Sequence, residues 1–222
     1  MNHKQKHLLV IFPHPDDESF GASGTISKFR DEGVPVTYLC GTLGEMGRNM
    51  GSPVFANRET LYNFRKKELN QAARNLDINV ELLGYRDKTL EFEPSEELAK
   101  HLKDRIELHK ATTIITHYPG YGVHPDHDAL GRAVVKAVEM IEPGFRPEVW
   151  MHAISNDSEK DLGEPDFIFD ITPYWERKEA AIRAHLSQAD GMMNLIEEQD
   201  QASEHYQRLK TEQFYRWIFP TD

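Results

Sequence analysis

A single cysteine, Cys40, stands in a chain of 222 residues. No disulfide can form within the chain and no cysteine-rich zinc site is possible, so a reducing, cytoplasmic setting is expected. Basic residues are also in deficit: 26 Lys and Arg against 37 Asp and Glu give a formal net charge of −11. Binding to a polyanion needs a basic footprint, so neither nucleic acid nor a membrane surface is an expected partner. A small anionic substrate stays compatible with that balance, because a few local arginines override the global sign. Long apolar runs are missing. The first run, Leu8–Phe12, is far too short for a membrane span or a signal-peptide core, and no targeting segment is expected. The glycine fingerprint of dinucleotide-binding folds is absent after that run, where Pro13 and His14 stand. The stretch Gly41-Thr42-Leu43-Gly44-Glu45-Met46-Gly47 lacks the Gly-Lys-Ser/Thr ending of a phosphate loop. Repeats, low-complexity tracts and linkers are absent too. This predicts one domain over residues 1–222, with the part after about residue 155 as its extension.

Hydrophobic residues, at 39%, suffice for a core, and a charged fraction of 28% suits an ordinary surface. Leu8–Phe12 reads as a strand buried on both faces, as in a parallel sheet. Further strands are expected over 34–40, 80–83, 112–116, 148–154 and 167–171. Helices are expected over 20–32, 57–76, 95–109, 126–141, 175–189 and about 192–214, with Gly33, Asn57 and Ser95 as caps. The alternation predicts a three-layer, Rossmann-like α/β fold with a mostly parallel sheet and helices on both faces. Ligands of such sheets bind beyond the carboxyl ends of the strands. That edge collects the segments 14–18, 41–53, 85–88 and 117–127.

Two of these segments carry ligand chemistry. In His14-Pro15-Asp16-Asp17-Glu18, a strand-to-helix turn lets His14 and Asp17 point the same way, while Asp16 projects differently. Imidazole and carboxylate suit first-row metals, and a carboxylate beside the metal can take a proton from activated water. His124-Pro125-Asp126-His127 repeats the His-Pro-Asp pattern after the fourth strand. One of its histidines can complete a two-His, one-carboxylate site. The other, if cationic, can stabilise an oxyanion or protonate a leaving amine, with Asp126 orienting a neighbouring ring. A lone His-Pro-Asp is ordinary turn and cap chemistry; two on one sheet edge are not. Arg48, Arg58, Arg65 and Arg86 are candidate anion binders on that edge, and His117 also reaches it. His152 reads as a satisfied core histidine; His101, His109, His185 and His205 read as helical, packed or solvated. His3 and His7 belong to a polar terminus, and Cys40 reads as an inert buried thiol. The same ligand set also serves Fe(II) oxygenases, and a non-catalytic, metal-stabilised sugar-binding module is a third reading.

The residues 14–18, Thr42-Leu43-Gly44-Glu45 and 124–127, in this order and spacing, resemble the LmbE-like or PIG-L-type zinc-dependent de-N-acetylases over roughly residues 7–155. Length and detail look most like the second type of bacillithiol-biosynthesis deacetylase, which removes acetate from N-acetylglucosaminyl malate. The resemblance implies His14, Asp17 and His127 as metal ligands and Asp16 as general base. It implies His124 as oxyanion stabiliser or acid, tuned by Asp126. It places Arg65, Asp87 and Tyr121 at the substrate. Zinc is the implied cofactor, with ferrous iron as the other candidate, and a homo-oligomer is implied. An amidase of mercapturic type, acting on thiol conjugates, shares these motifs.

Overall fold

A computed structural model describes residues 6–189, Ile196 and 204–220. Its centre is β1 (Leu8–Phe12), every residue of which is buried. A strand covered on both faces has no solvated side, which is why the run is apolar without alternation. Leu9 and Ile11 join the core under one helix layer, while Leu8, Val10 and Phe12 join the core under the other. The two-residue period of a strand thus divides one short segment between two cores.

The chain continues through α1 (Asp17–Gly21), α2 (Ser23–Asp31), β2 (Val36–Cys40), α3 (Leu61–Leu76), β3 (Asn79–Leu82) and α4 (Ser95–His109). It then forms β4 (Thr113–His117), α5 (Pro125–Glu139), β5 (Glu148–His152), α6 (Ser158–Leu162), β6 (Phe167–Asp170) and α7 (Trp175–Ala184). The described residues close with α8 (Glu204–Leu209) and β7 (Thr211–Arg216). The seven-stranded sheet has the order β3-β2-β1-β4-β5-β7-β6. β1 to β5 pair in parallel, and β7 runs antiparallel to both β5 and β6. α4 and α5 cover one face, and α2, α3 and α7 cover the other. β1 pairs with β2 on one side and β4 on the other, so strand order reverses between β1 and β4. That reversal opens the crevice where α/β sheets bind ligands. Among the described residues, no helix is long and apolar enough to cross a membrane.

Several expected elements differ. The helix expected over 20–32 is two helices, broken at Ala22 (φ −144, ψ 0). α3 starts at Leu61 rather than 57, because Asn57 Oδ1 accepts from Glu59 N and Thr60 N, both at 3.0 Å, and closes a turn of its own. α7 ends at Ala184 rather than 189. Of the helix expected over 192–214, most of its first half lies outside the described residues, as does His3. Its last part is the strand β7. Phe214 and Tyr215 are buried there, Phe214 beside Trp150 on the sheet, and tertiary packing overrides the helical pattern.

β7 also completes α2. No side chain of its own caps that helix, and the orphan amides of Gly24 and Thr25 instead donate to Glu212 at 2.9 and 2.7 Å. The buried Glu212 is paired with the buried Lys178 at 2.7 Å, and Lys178 Nζ also donates to Phe20 O at 2.9 Å. Breaking a buried pair by removing one partner strands a charge. Lys178→Met is therefore expected to lower unfolding stability by about 3 to 5 kcal/mol, measured by urea titration.

Candidate metal centre and catalytic cleft

The turn after β1 is held from several sides. His14 N donates to Asp17 Oδ2 at 2.8 Å, which folds the aspartate back toward the histidine. Tyr38 donates its hydroxyl to His14 O. Asp16 takes φ 131, a conformation that L-residues rarely adopt, and its N–H donates to Glu18 Oε2 at 3.0 Å. Arg65, buried on α3, donates from Nη2 to Pro15 O at 2.7 Å and Asp16 Oδ2 at 3.0 Å, and from Nη1 to Gly44 O at 3.1 Å. Gly44 is required at that contact: a Cβ there would lie 1.8 Å from Arg65 Nη1, and its φ is +62.

Three donors converge. His14 Nδ1 lies 3.2 Å from His127 Nε2 and 3.4 Å from Asp17 Oδ2, and His127 Nε2 lies 3.4 Å from Asp17 Oδ1. The outer side of each ring is already engaged. His127 Nδ1 donates to Gly122 O at 2.7 Å, and His14 Nε2 stands 3.3 Å from both Asp87 Oδ1 and Asp126 Oδ2. These contacts set the tautomers so that both inward nitrogens present lone pairs, as in a carboxylate–histidine–metal relay. The charge field agrees. Burial works against both rings, yet the bonds to Asp126, Asp17 and Asp87 hold His14 well above the ordinary imidazole range. His127 is raised likewise, burial being outweighed by Asp17. Burial opposes ionisation of Asp17 too, but the charge of His127 and the bonds from His117, His127 and His14 keep it well below the usual carboxylate range. Two imidazoles and one carboxylate, pre-set to attract positive charge, fit a divalent metal with coordination positions left open.

The remaining residues sort by geometry. Asp16 adjoins this centre, and burial pushes its carboxyl up to about 6 despite the Arg65 guanidinium, with Asp17 adding to the rise. His124 is the N-cap of α5, and its Nδ1 accepts from Asp126 N at 3.1 Å, so the neutral ring carries its proton on Nε2. Burial lowers its pKa, and the nearby rings of His14 and His127 lower it further, so the cap residue is neutral rather than cationic. The Asp126 carboxylate turns to His14 and to the amides of Lys88 (2.7 Å) and Leu90 (3.2 Å), with no bond to the His124 ring. Asp87 is buried, its Oδ2 accepting from Met46 N at 2.8 Å. Tyr121 packs edge-on against Tyr118 at 5.4 Å and does not line the cleft. Of the candidate arginines only Arg65 reaches the cleft; Arg48, Arg58 and Arg86 are exposed elsewhere.

The cleft has a volume of about 270 Å³ and is lined by His14, Asp16, Asp17, Arg65, His124 and His127, with Lys88 and Gln188 on its wall. Sequence reasoning undervalued three histidines, His117 and His185 buried and His152 half-buried. His117 stacks on His127 with centroids 3.9 Å apart, its Nε2 3.8 Å from Asp17 Oδ2, and burial pushes it down to about 4. His152 is not a satisfied core residue: its buried Nδ1 has no partner, and burial, then His117, push it to about 3. His185 bonds to Glu18. Only the place of His117 at the end of a strand signalled such a role. His101 and His109 are anchored away from the cleft, by Tyr85 and by Glu81.

The sequence matches the PIG-L family model, described as GlcNAc-PI de-N-acetylase, over residues 9–138. The chain belongs to this family. It is 47% identical over 216 residues, 97% of this chain and 98% of the relative, to the probable N-acetyl-alpha-D-glucosaminyl L-malate deacetylase 2 of Bacillus subtilis (strain 168). Among solved structures, N,N'-diacetylchitobiose deacetylase from Pyrococcus horikoshii superposes with a TM-score of 0.74 and 27% identity, covering 96% of this chain and 84% of that one. GalB, the 4-carboxy-2-hydroxymuconate hydratase of Pseudomonas putida, reaches 0.73 at 20% identity, with 98% of each chain covered, and shares the fold.

Removing the outer carboxylate of a ligand histidine loosens the ligand. Asp126→Asn is expected to weaken divalent-metal binding about 10- to 100-fold, read by chelator competition.

Proposed function

We propose that this protein is a metal-dependent deacetylase that hydrolyses the acetamide of N-acetyl-α-D-glucosaminyl L-malate, as expected of a step in bacillithiol biosynthesis. The observation that carries the reading is the convergence of His14 Nδ1, Asp17 and His127 Nε2 at 3.2 to 3.4 Å beside Asp16. The near full-length likeness to the Bacillus relative supports the choice of substrate. The donor set suits zinc, which we take as the cofactor, and ferrous iron would accept the same ligands.

The metal, when bound, supplies Lewis acidity that acidifies water and polarises a carbonyl. Asp16 takes the proton of the attacking water. Its carboxyl, pushed up to about 6, is well matched to proton transfer near neutrality. The water oxygen bonds to the acetyl carbon, and His124 Nε2–H donates to the oxygen on which negative charge develops. The C–N bond then breaks, the amine nitrogen takes the proton held by Asp16, and acetate and the free glucosamine conjugate leave. Arg65 directs Nη1 to Gly44 and Nη2 to Pro15 and Asp16, which supports a role in holding the base. Lys88, exposed on the cleft wall with no ion pair among the described residues, suits a small anionic substrate.

The test is acetate release by metal-replete protein from the malate conjugate, a neutral N-acetylglucosaminide and an N-acetylated thiol conjugate, run with and without oxygen. Hydrolysis of the malate conjugate independent of oxygen is expected. His124→Ala is expected to lose about 100- to 1,000-fold in kcat. Asp16→Ala should lose activity with metal retained, and near wild-type turnover by that variant would sink the mechanism.

A pH profile tests the link between Arg65 and the base. Asp16 acts deprotonated, so activity is lost as pH falls through its pKa. Burial raises that pKa and Arg65 opposes the rise. Arg65→Gln removes the opposing charge, so the acid limb of kcat/KM is expected to move to higher pH. An unmoved or lowered limb would separate Arg65 from the base.

A further inference from the structure

The segment just after α7 plays no part in the chemistry described above, yet its polar groups are spent on the cleft. His185 is buried and its Nε2 lies 2.8 Å from Glu18 Oε1, across 167 residues of sequence. Glu18 is also buried, and its other oxygen, Oε2, accepts the Asp16 N–H at 3.0 Å. An aspartate at φ 131 persists only where its surroundings over-determine it, and the Glu18 carboxylate is the group that fixes its amide. Burial works against a charged His185, while the neighbouring Glu18 raises the ring above the ordinary imidazole range.

Two residues later the segment bonds to α3, the helix that carries the other partner of Asp16. Ser187 donates from N to Glu68 Oε1 at 2.9 Å and from Oγ to Glu68 Oε2 at 2.6 Å. Glu68 is buried on α3 one turn beyond Arg65, the residue whose Nη2 reaches Asp16 Oδ2 at 3.0 Å. The segment is tied down locally as well, with Met50 N donating to Ser187 O at 2.7 Å and Gln188 Nε2 to Arg48 O at 2.8 Å. One short stretch thus backs the peptide of Asp16 through Glu18 and, through Glu68, holds the turn of α3 that carries Arg65.

We propose that His185 and Ser187 are positioning residues for the deacetylation, His185 orienting Asp16 through Glu18 and Ser187 steadying, through Glu68, the turn of α3 that carries Arg65. The inference rests on the reading of Asp16 as the base. Neither residue touches the metal ligands or lines the cleft, so a positioning role predicts a loss in kcat alone.

The experiment compares His185→Leu, His185→Gln and Ser187→Ala with the wild type in metal-replete form. For each it measures kcat, KM for the malate conjugate, bound metal, and the thermal transition. A misplacement of about 1 Å costs on the order of 100-fold, so His185→Leu is expected to lower kcat by about that factor. KM and metal content should stay within about twofold of wild type, because ground-state binding is untouched. His185→Gln, whose amide can still donate to Glu18, should recover most of the loss. Ser187→Ala removes one donor to a carboxylate and should cost about tenfold in kcat. If His185→Leu does not fold, the two milder variants decide. The proposal is overturned if folded variants keep wild-type kcat. It is equally overturned if kcat, KM, metal and melting temperature fall together, or if glutamine restores nothing that leucine lost. A wild type that releases no acetate from any conjugate overturns the proposed function on which this inference rests.

Discussion

His14 Nδ1 and His127 Nε2 stand 3.2 Å apart, and the outer nitrogen of each ring is already committed, to Asp87 and Asp126 in one case and to Gly122 O in the other. Two neutral rings so placed would set lone pair against lone pair. Asp17 adds a carboxylate within 3.4 Å of both nitrogens. Only a positive charge among these three groups relieves the arrangement, and the raised pKa directions of both histidines express that demand. The rest of the cleft follows from keeping this repulsive set in place: Asp126 gathers the amides of Lys88 and Leu90, Asp87 the amide of Met46, and Tyr38 the carbonyl of His14.

That grip has a backbone counterpart. Among the described residues, five that are not glycine have positive φ. Asp77 and Lys110 close α3 and α4 as left-handed caps, an ordinary way to end a helix. The other three, Asp16, Lys88 and Val123, each lie on a loop that builds the cleft: after β1, after β3 and before α5. Val123 is the most costly type, because a β-branched side chain clashes in that region. Strain gathered on the three loops and absent from the sheet is what a preorganised site looks like when a rigid scaffold over-determines its edges.

The sheet and the segments that meet at the candidate centre were legible because their signals are local. Leu8–Phe12 announces a strand covered on both sides, and the repeated His-Pro-Asp places ligand types at two strand ends on one edge. Partner choice was not legible, because it depends on rotamers and on residues far away in sequence. Asp126 follows His124 by two positions, yet its carboxylate serves His14 across 112 residues. Arg65 carries a charge that reads as a substrate contact, and nothing near it in sequence reveals its bonds to Pro15, Gly44 and Asp16. His185 looked like one more helical histidine, since nothing near it reveals Glu18. β7 was misjudged because a helical spacing of apolar residues cannot show that Glu212 is wanted at the N-terminus of α2.

The likeness to a hydratase shows that the fold does not choose the reaction. What narrows the choice is charge placed at specific atoms. Asp16, Asp17, Asp87 and Asp126 bring four carboxylates to a cleft whose cations are Arg65 and Lys88. A chain with a net charge of −11 would repel an anionic sugar from such a place. A divalent cation held, as proposed, by His14, Asp17 and His127 would offset the surplus locally, so that an anion would meet a neutral cleft inside an acidic protein. On this account the acidic surroundings and the metal are one design. The carboxylates that hold the two rings call for a cation between them, and that cation would make the charge of the proposed substrate tolerable.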